Sequence, residues 1–166
     1  MIDTTTNKFN FETSKPFKSF SGGTFHRVTK KTFPSLTGIA IQALHLKKGI
    51  VREPHVHPNA SQLDYCVSGK ARVGIIGPEG FKQFLELKAG DISFVPQGYL
   101  HWIENIGTDE LHFLVMLTNE EPLTIELSEM LHGVPKETLM ACYGVSKTFV
   151  DDIPKKTVIV GDGSVL

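Results

Sequence analysis

Two short runs of glycine, proline and histidine restrict this chain more than any other feature. The first reads Gly49-x5-His55-x-His57-x4-Gln62-x6-Gly69, and the second Gly90-x5-Pro96-x-Gly98-x2-His101-x3-Asn105. Side chains on a strand alternate between faces, so His55 and His57 point the same way. Gln62 follows a short polar segment, Pro58 to Ser61, at the head of the next strand, and His101 opens another. The glycines and prolines mark turns between them. Four side chains from three strands then converge on one point. With 7 His in 166 residues, three at prescribed positions would arise by chance on the order of 1 in 10,000. His55, His57, His101 and the amide oxygen of Gln62 are the expected ligands of one divalent metal ion per chain.

The pattern around these runs is that of an all-β domain. Between about Ser21 and Thr118, short apolar stretches (GIAIQALHL, QLDYCVSGKARVGIIG, FKQFLEL, DISFVP, LHWIEN, ELHFLVML) are divided by turn residues, as in an antiparallel sandwich or barrel. Ser68-Gly69-Lys70 reads as a tight hairpin turn and Gly77-Pro78-Glu79-Gly80 as a longer one. After Asn119 the segments LSEMLHG, PKETLMACYG and SKTFVDDIP read as short helices. Ser128 and Ser146 are their expected N-caps, Pro135 lies near a start, and Gly133 and Gly144 sit at ends. A late run, TVIVG, reads as a returning edge strand. The expected organisation is an N-terminal arm over 1–19, a jelly-roll barrel over 20–118, and a C-terminal helical appendage with a final strand over 119–166. A barrel of this size holds one ligand pocket, lined by the four motif residues.

At 40% hydrophobic content, 166 residues can bury one core. A net charge of −1 argues against nucleic acid or an anionic membrane as partner. The first seventeen residues lack the apolar stretch of a signal peptide, and no apolar run reaches transmembrane length. Cys66 and Cys142 form no close-spaced motif and read as free thiols. A cytoplasmic protein is the expectation. Exposed barrel edges further predict a homodimer or larger homo-oligomer.

The two runs match nine of the ten positions that define the cupins, the exception being Gln62 in place of Glu. The strings SGGT (21–24), REPHVHPNASQ (52–62), SGKARV (68–73) and AGDISFVPQGYLHWIENIG (89–107), with IPKK (153–156), resemble the oxalate decarboxylase family. That resemblance runs from about residue 20 to residue 161. It implies a double-stranded β-helix barrel, a manganese ion, and a small carboxylate substrate that loses carbon dioxide; iron, zinc or nickel are the alternative occupants that the ligand set itself leaves open. It also implies that Arg52, three residues before His55, holds the substrate carboxylate. The family is usually built of two barrels per chain, carries Glu as fourth ligand, commonly has Trp between the paired His where this chain has Val56, and places a proton-donating Glu on a lid loop. The corresponding loop here, Leu117 to Leu127, is short and contains Pro122, with Glu120 and Glu121 as candidate catalytic acids.

Residue by residue, several alternatives stay open. Strict alternation from His55 puts Arg52 on the outer face and Glu53 on the inner one, unless Pro54 resets the parity. Asp64 and Cys66 share the parity of Gln62, and Ile103 and Asn105 that of His101, whereas Trp102 and Glu104 face away. His26, His45, His112 and His132 fit no ligand spacing and read as structural or exposed. A neutral Gln leaves a divalent site at net +2 rather than +1, which favours anionic ligands and disfavours oxidation of the metal. Decarboxylation of a small carboxylate is the first expectation. A cupin dioxygenase and a non-catalytic small-molecule-binding cupin with a vestigial site are the alternatives.

Overall fold

A computed structural model describes residues 6–153. Among these residues, eleven strands form two antiparallel sheets. The first contains β1 (Lys18–Phe20), β2 (Gly23–Val28), β3 (Ala40–Leu46), β5 (Gln62–Ser68), β8 (Ile92–Val95) and β10 (Leu111–Leu117). Their order is β1-β2-β3-β10-β5-β8. The second contains β4 (Val51–Val56), β6 (Lys70–Ile76), β7 (Lys82–Lys88), β9 (Leu100–Asn105) and β11 (Ile125–Glu126), in the order β11-β4-β9-β6-β7. This is the expected all-β jelly roll.

Period-2 patterning builds the core. In β10, Leu111, Phe113, Val115 and Leu117 are buried while His112, Leu114 and Met116 are only half-buried. The inward set meets Leu44, Leu46, Cys66 and Val95 of its own sheet and Val73, Ile75, Leu87 and Ile103 of the other. Burying a side chain of this size contributes about 1.5–3 kcal/mol, so the closed barrel rests on these two inner faces.

One turn differs from its sequence reading. Ser68-Gly69-Lys70 is not a hairpin, because β5 pairs with β10 and β8 whereas β6 pairs with β7 and β9. The chain crosses there from one sheet to the other. Gly69 has φ +89°, and a Cβ would lie 2.9 Å from the Leu111 Cα, so the corner accepts only glycine. The Gly77–Gly80 turn does close a hairpin, between β6 and β7.

Residues ahead of β1 lie on their own barrel. Phe9 stacks on Phe33 at 5.5 Å, Phe11 meets the His26 ring edge-on at 6.0 Å, and Phe17 meets Phe25 at 5.6 Å. Among the described residues, three helices follow the barrel: α1 (Leu127–Gly133), α2 (Lys136–Tyr143) and α3 (Lys147–Asp152). Ser146 caps α3, accepting from the Phe149 amide at 3.1 Å, and Gly144 ends α2 with φ 65°. Ser128 does not cap α1. Glu126 holds that position, and the Ser128 hydroxyl instead donates to the Glu53 carboxylate at 3.1 Å. The TVIVG segment lies outside the described residues.

Candidate metal centre

The local form of β4 decides which side chains enter the barrel. In its pairing with β9, Arg52 faces Ile103 and His55 faces His101. Three steps along β4 thus match two along β9, so Glu53-Pro54 form a bulge. The bulge cancels strict alternation: Arg52 joins His55, His101 and Ile103 on the inner face and is 4% exposed. Its parity is reset at the proline, which cannot donate to the ladder. Glu126 of β11 pairs with His55 and enters the same interior.

His55, His57 and His101 are all buried, with ring centroids 4.1 to 5.3 Å apart. Each Nδ1 meets a backbone carbonyl: His55 at Glu53 (2.7 Å), His57 at Leu123 (2.8 Å) and His101 at Tyr99 (3.0 Å). A carbonyl only accepts, so each Nδ1 carries the proton and each Nε2 keeps a lone pair. One ring nitrogen from each histidine lies within 4.8 Å of the others. Burial holds all three imidazoles neutral, lowering His57 to about 4, His101 to about 3, and His55 well below its usual value. The positive charge of Arg52 adds to the effect at each.

Gln62 closes the fourth side. Its Nε2 donates to Asp64 Oδ1 at 2.8 Å, and Asp64 Oδ2 accepts from the Ser93 hydroxyl at 2.7 Å. The amide oxygen is thereby turned inward, 3.1 Å from His101 Nε2. Both of those atoms are acceptors once His101 Nδ1 holds its proton. Facing lone pairs, together with a buried His57 Nε2 that has no hydrogen-bond partner, are what a divalent cation satisfies. The donor set therefore fits a metal held by His55, His57 and His101, with Gln62 positioned to complete it. Asp64 is fully buried, and burial raises its carboxyl to about 7.

The remaining candidates divide. Arg52 forms a buried two-pronged pair with Glu126, at 2.6 and 2.8 Å. Glu53, half-buried beside this pair, is raised to about 7 by burial and by the neighbouring Glu126. Glu120 and Glu121 are not brought to the histidines. The Glu120 carboxylate meets Lys30 Nζ at 2.8 Å and the Gly38 amide at 3.0 Å, and Glu121 accepts from the Lys31 amide at 2.9 Å. Arg27 fastens the same loop through the Pro122 carbonyl at 2.7 Å. Cys66 is a core residue whose thiol burial pushes up. Trp102 and Glu104 face outward: Trp102 covers Gly74, and Glu104 meets Arg72 at 3.4 Å. Asn105, which ends the second run, is structural, donating to the Leu46 and Asp109 carbonyls at 2.8 Å each. Sequence reasoning missed Glu126 and Ser93 altogether. Glu126 stands where a strand gives way to a helix, so neither periodicity marks it.

Comparison with known proteins agrees with this geometry. The sequence pattern that defines the cupins matches residues 9–151. The chain belongs to the cupin family. It is 30% identical over 142 residues to an oxalate decarboxylase of Bacillus subtilis (strain 168), covering 86% of this chain and 37% of that protein. It is 25% identical over 126 residues to the wheat (Triticum aestivum) oxalate oxidase GF-3.8, covering 72% and 56%. A solved structure of the Bacillus subtilis oxalate decarboxylase, studied for its Mn(II) centres, superposes with a TM-score of 0.85 at 28% identity, covering 91% of this chain and 40% of that one. This cupin thus spans little more than a third of the length of the decarboxylase it matches. Among the described residues, no helix is long and apolar enough to cross a membrane.

Proposed function

We propose that this cupin is a metal-dependent enzyme that decarboxylates a small carboxylate of the oxalate class. The observation that carries the reading is the placement of a buried guanidinium, Arg52, on the same inner face as three imidazoles with bare Nε2 atoms. His55, His57 and His101 would hold the ion, with Gln62 as an oxygen ligand oriented by Asp64. Manganese suits a site that includes oxygen, and its relatives' chemistry favours it over iron, zinc or nickel. An ion held there would supply Lewis acidity toward a substrate carboxylate.

The chain's own residues do the rest. Arg52, held in orientation by Glu126, would present its planar guanidinium to a substrate carboxylate inside the barrel. Loss of carbon dioxide leaves a carbon that must take a proton. Glu53, whose carboxyl accepts from Ser128 beside the Arg52–Glu126 pair and is raised to about 7, is the candidate donor of that proton. Glu120 and Glu121, engaged with Lys30 and Lys31, anchor the loop in this reading. The outer face of β5 and β8 exposes Leu63, Tyr65, Ile92 and Phe94, which supports a homo-oligomer and is tested by sedimentation.

Manganese-loaded protein should release carbon dioxide and formate from oxalate, or an analogous product from another small dicarboxylate, equally under air and nitrogen. Turnover that consumes oxygen stoichiometrically would make the protein an oxidase or an oxygenase instead. Carboxylate binding without any turnover would make it a binding protein.

A further inference from the structure

We infer that Glu12, His45 and His112 form a second divalent-cation site, of the zinc class, on the outer face of the six-stranded sheet, where it ties the N-terminal segment to the barrel. This inference is independent of the reaction proposed for the interior.

His45 and His112 are direct cross-strand partners on β3 and β10, and their rings stack at 4.3 Å. Both face away from the core, because their neighbours Leu44, Leu46, Leu111 and Phe113 point inward. Glu12 reaches them from the segment that precedes β1. Its two carboxylate oxygens lie 3.6 Å from His45 Nε2 and 3.4 Å from His112 Nε2. Donors around a tetrahedral zinc, each at its usual bond length, stand about 3.3–3.5 Å apart. The His112 spacing falls within that range and the His45 spacing just above it, and both are long for hydrogen bonds between an imidazole and a carboxylate.

Two further observations point to a ligand. His112 Nε2 is buried without a hydrogen-bond partner although it faces Glu12. His26, 7% exposed on the adjacent β2, also has an unpartnered Nδ1 and borders an open groove of about 460 Å³ that Glu12 and His45 line as well. Glu110 lies 3.5 Å from His45 Nδ1. At that distance the negative charge of Glu110 favours the proton on Nδ1 and leaves Nε2 free for a metal. Lys47, the cation bordering the groove, is turned to the Ser21 carbonyl at 2.9 Å. Two neutral nitrogens and one or two carboxylates suit zinc, and they leave room for a water.

The test is zinc stoichiometry. The chelator-stripped 166-residue chain is titrated with zinc chloride in a calorimeter, and retained metal is counted after gel filtration. His45→Gln/His112→Gln should bind one zinc per chain fewer than wild type. His55→Ala/His57→Ala should keep the outer zinc whatever the interior does, so failure of one site is separable from failure of the other. Glu12→Gln leaves both imidazoles and changes a half-exposed side chain. It should weaken the outer event at least about tenfold and abolish zinc protection of residues 6–17 from limited proteolysis. Equal stoichiometry in wild type and His45→Gln/His112→Gln, or unchanged affinity in Glu12→Gln, would overturn the inference.

Discussion

Two histidine clusters stand in this cupin, one inside the barrel and one on the outer face of its larger sheet, and they are held by opposite means. Inside, backbone carbonyls grip each Nδ1 and burial keeps the rings neutral. Outside, two stacked rings face exposed carboxylates across 3.4 to 3.6 Å. The inner cluster is set before any ligand arrives. The outer one depends on side chains that water can screen. Position relative to the barrel wall, rather than residue type, makes this difference.

The contrast can be broken most forcefully at the buried pair. Arg52→Ala leaves Glu126 as an unpaired interior carboxylate and should cost about 3–5 kcal/mol, read from urea unfolding of metal-free protein. Glu12→Ala should cost less than about 1 kcal/mol in the same assay. Equal losses would remove the distinction between the two environments. Arg52→Met/Glu126→Leu should recover most of the stability but no carboxylate binding.

Interior metal affinity gives the next largest effect. Asp64→Asn lets the neighbouring side chain donate as well as accept, so the Gln62 amide is free to flip. Metal affinity at the interior should fall about 10–100-fold, while the outer cluster keeps its behaviour. Gln62→Glu should act oppositely, favouring manganese over zinc because a carboxylate suits the harder ion. Competitive loading of the two metals measures both variants, and a flat manganese-to-zinc ratio in Gln62→Glu would take Gln62 out of the ligand set.

Acid should separate the clusters more gently. Unfolded imidazoles titrate near 6.5, whereas burial puts His57 at about 4 and His101 at about 3. Below 6.5 the unfolded, metal-free chain binds protons that the folded one does not, so stability falls as pH drops toward 4. Asp64 opposes this: raised by burial from 3.8 to about 7, it contributes fully below 3.8 and loses its contribution as pH rises toward 7. Asp64→Asn should therefore steepen the acid loss between pH 4.5 and 6.5 by about one proton, or about 1.4 kcal/mol per pH unit. His112, lowered mainly by its own partial burial, should add a smaller loss of the same sign. An unchanged slope in the variant would mean that Asp64 is ionised in the fold.

The sequence alone determined the barrel and the position of the interior cluster. Period-2 alternation and turn residues are local properties, and the spacing of His55, His57, Gln62 and His101 follows from strands whose bounds those properties set. Three features were decided only by tertiary structure. Arg52 turns inward because β4 bulges at Glu53-Pro54 against β9, a register that depends on both strands. Gly69 bridges two sheets rather than closing a hairpin, because pairing partners are chosen across the whole chain. The outer cluster gathers Glu12, His45 and His112 from segments separated by 33 and 67 residues, a distance over which no periodicity carries information. Local chemistry sets which face a side chain takes, and long-range pairing sets what it meets there.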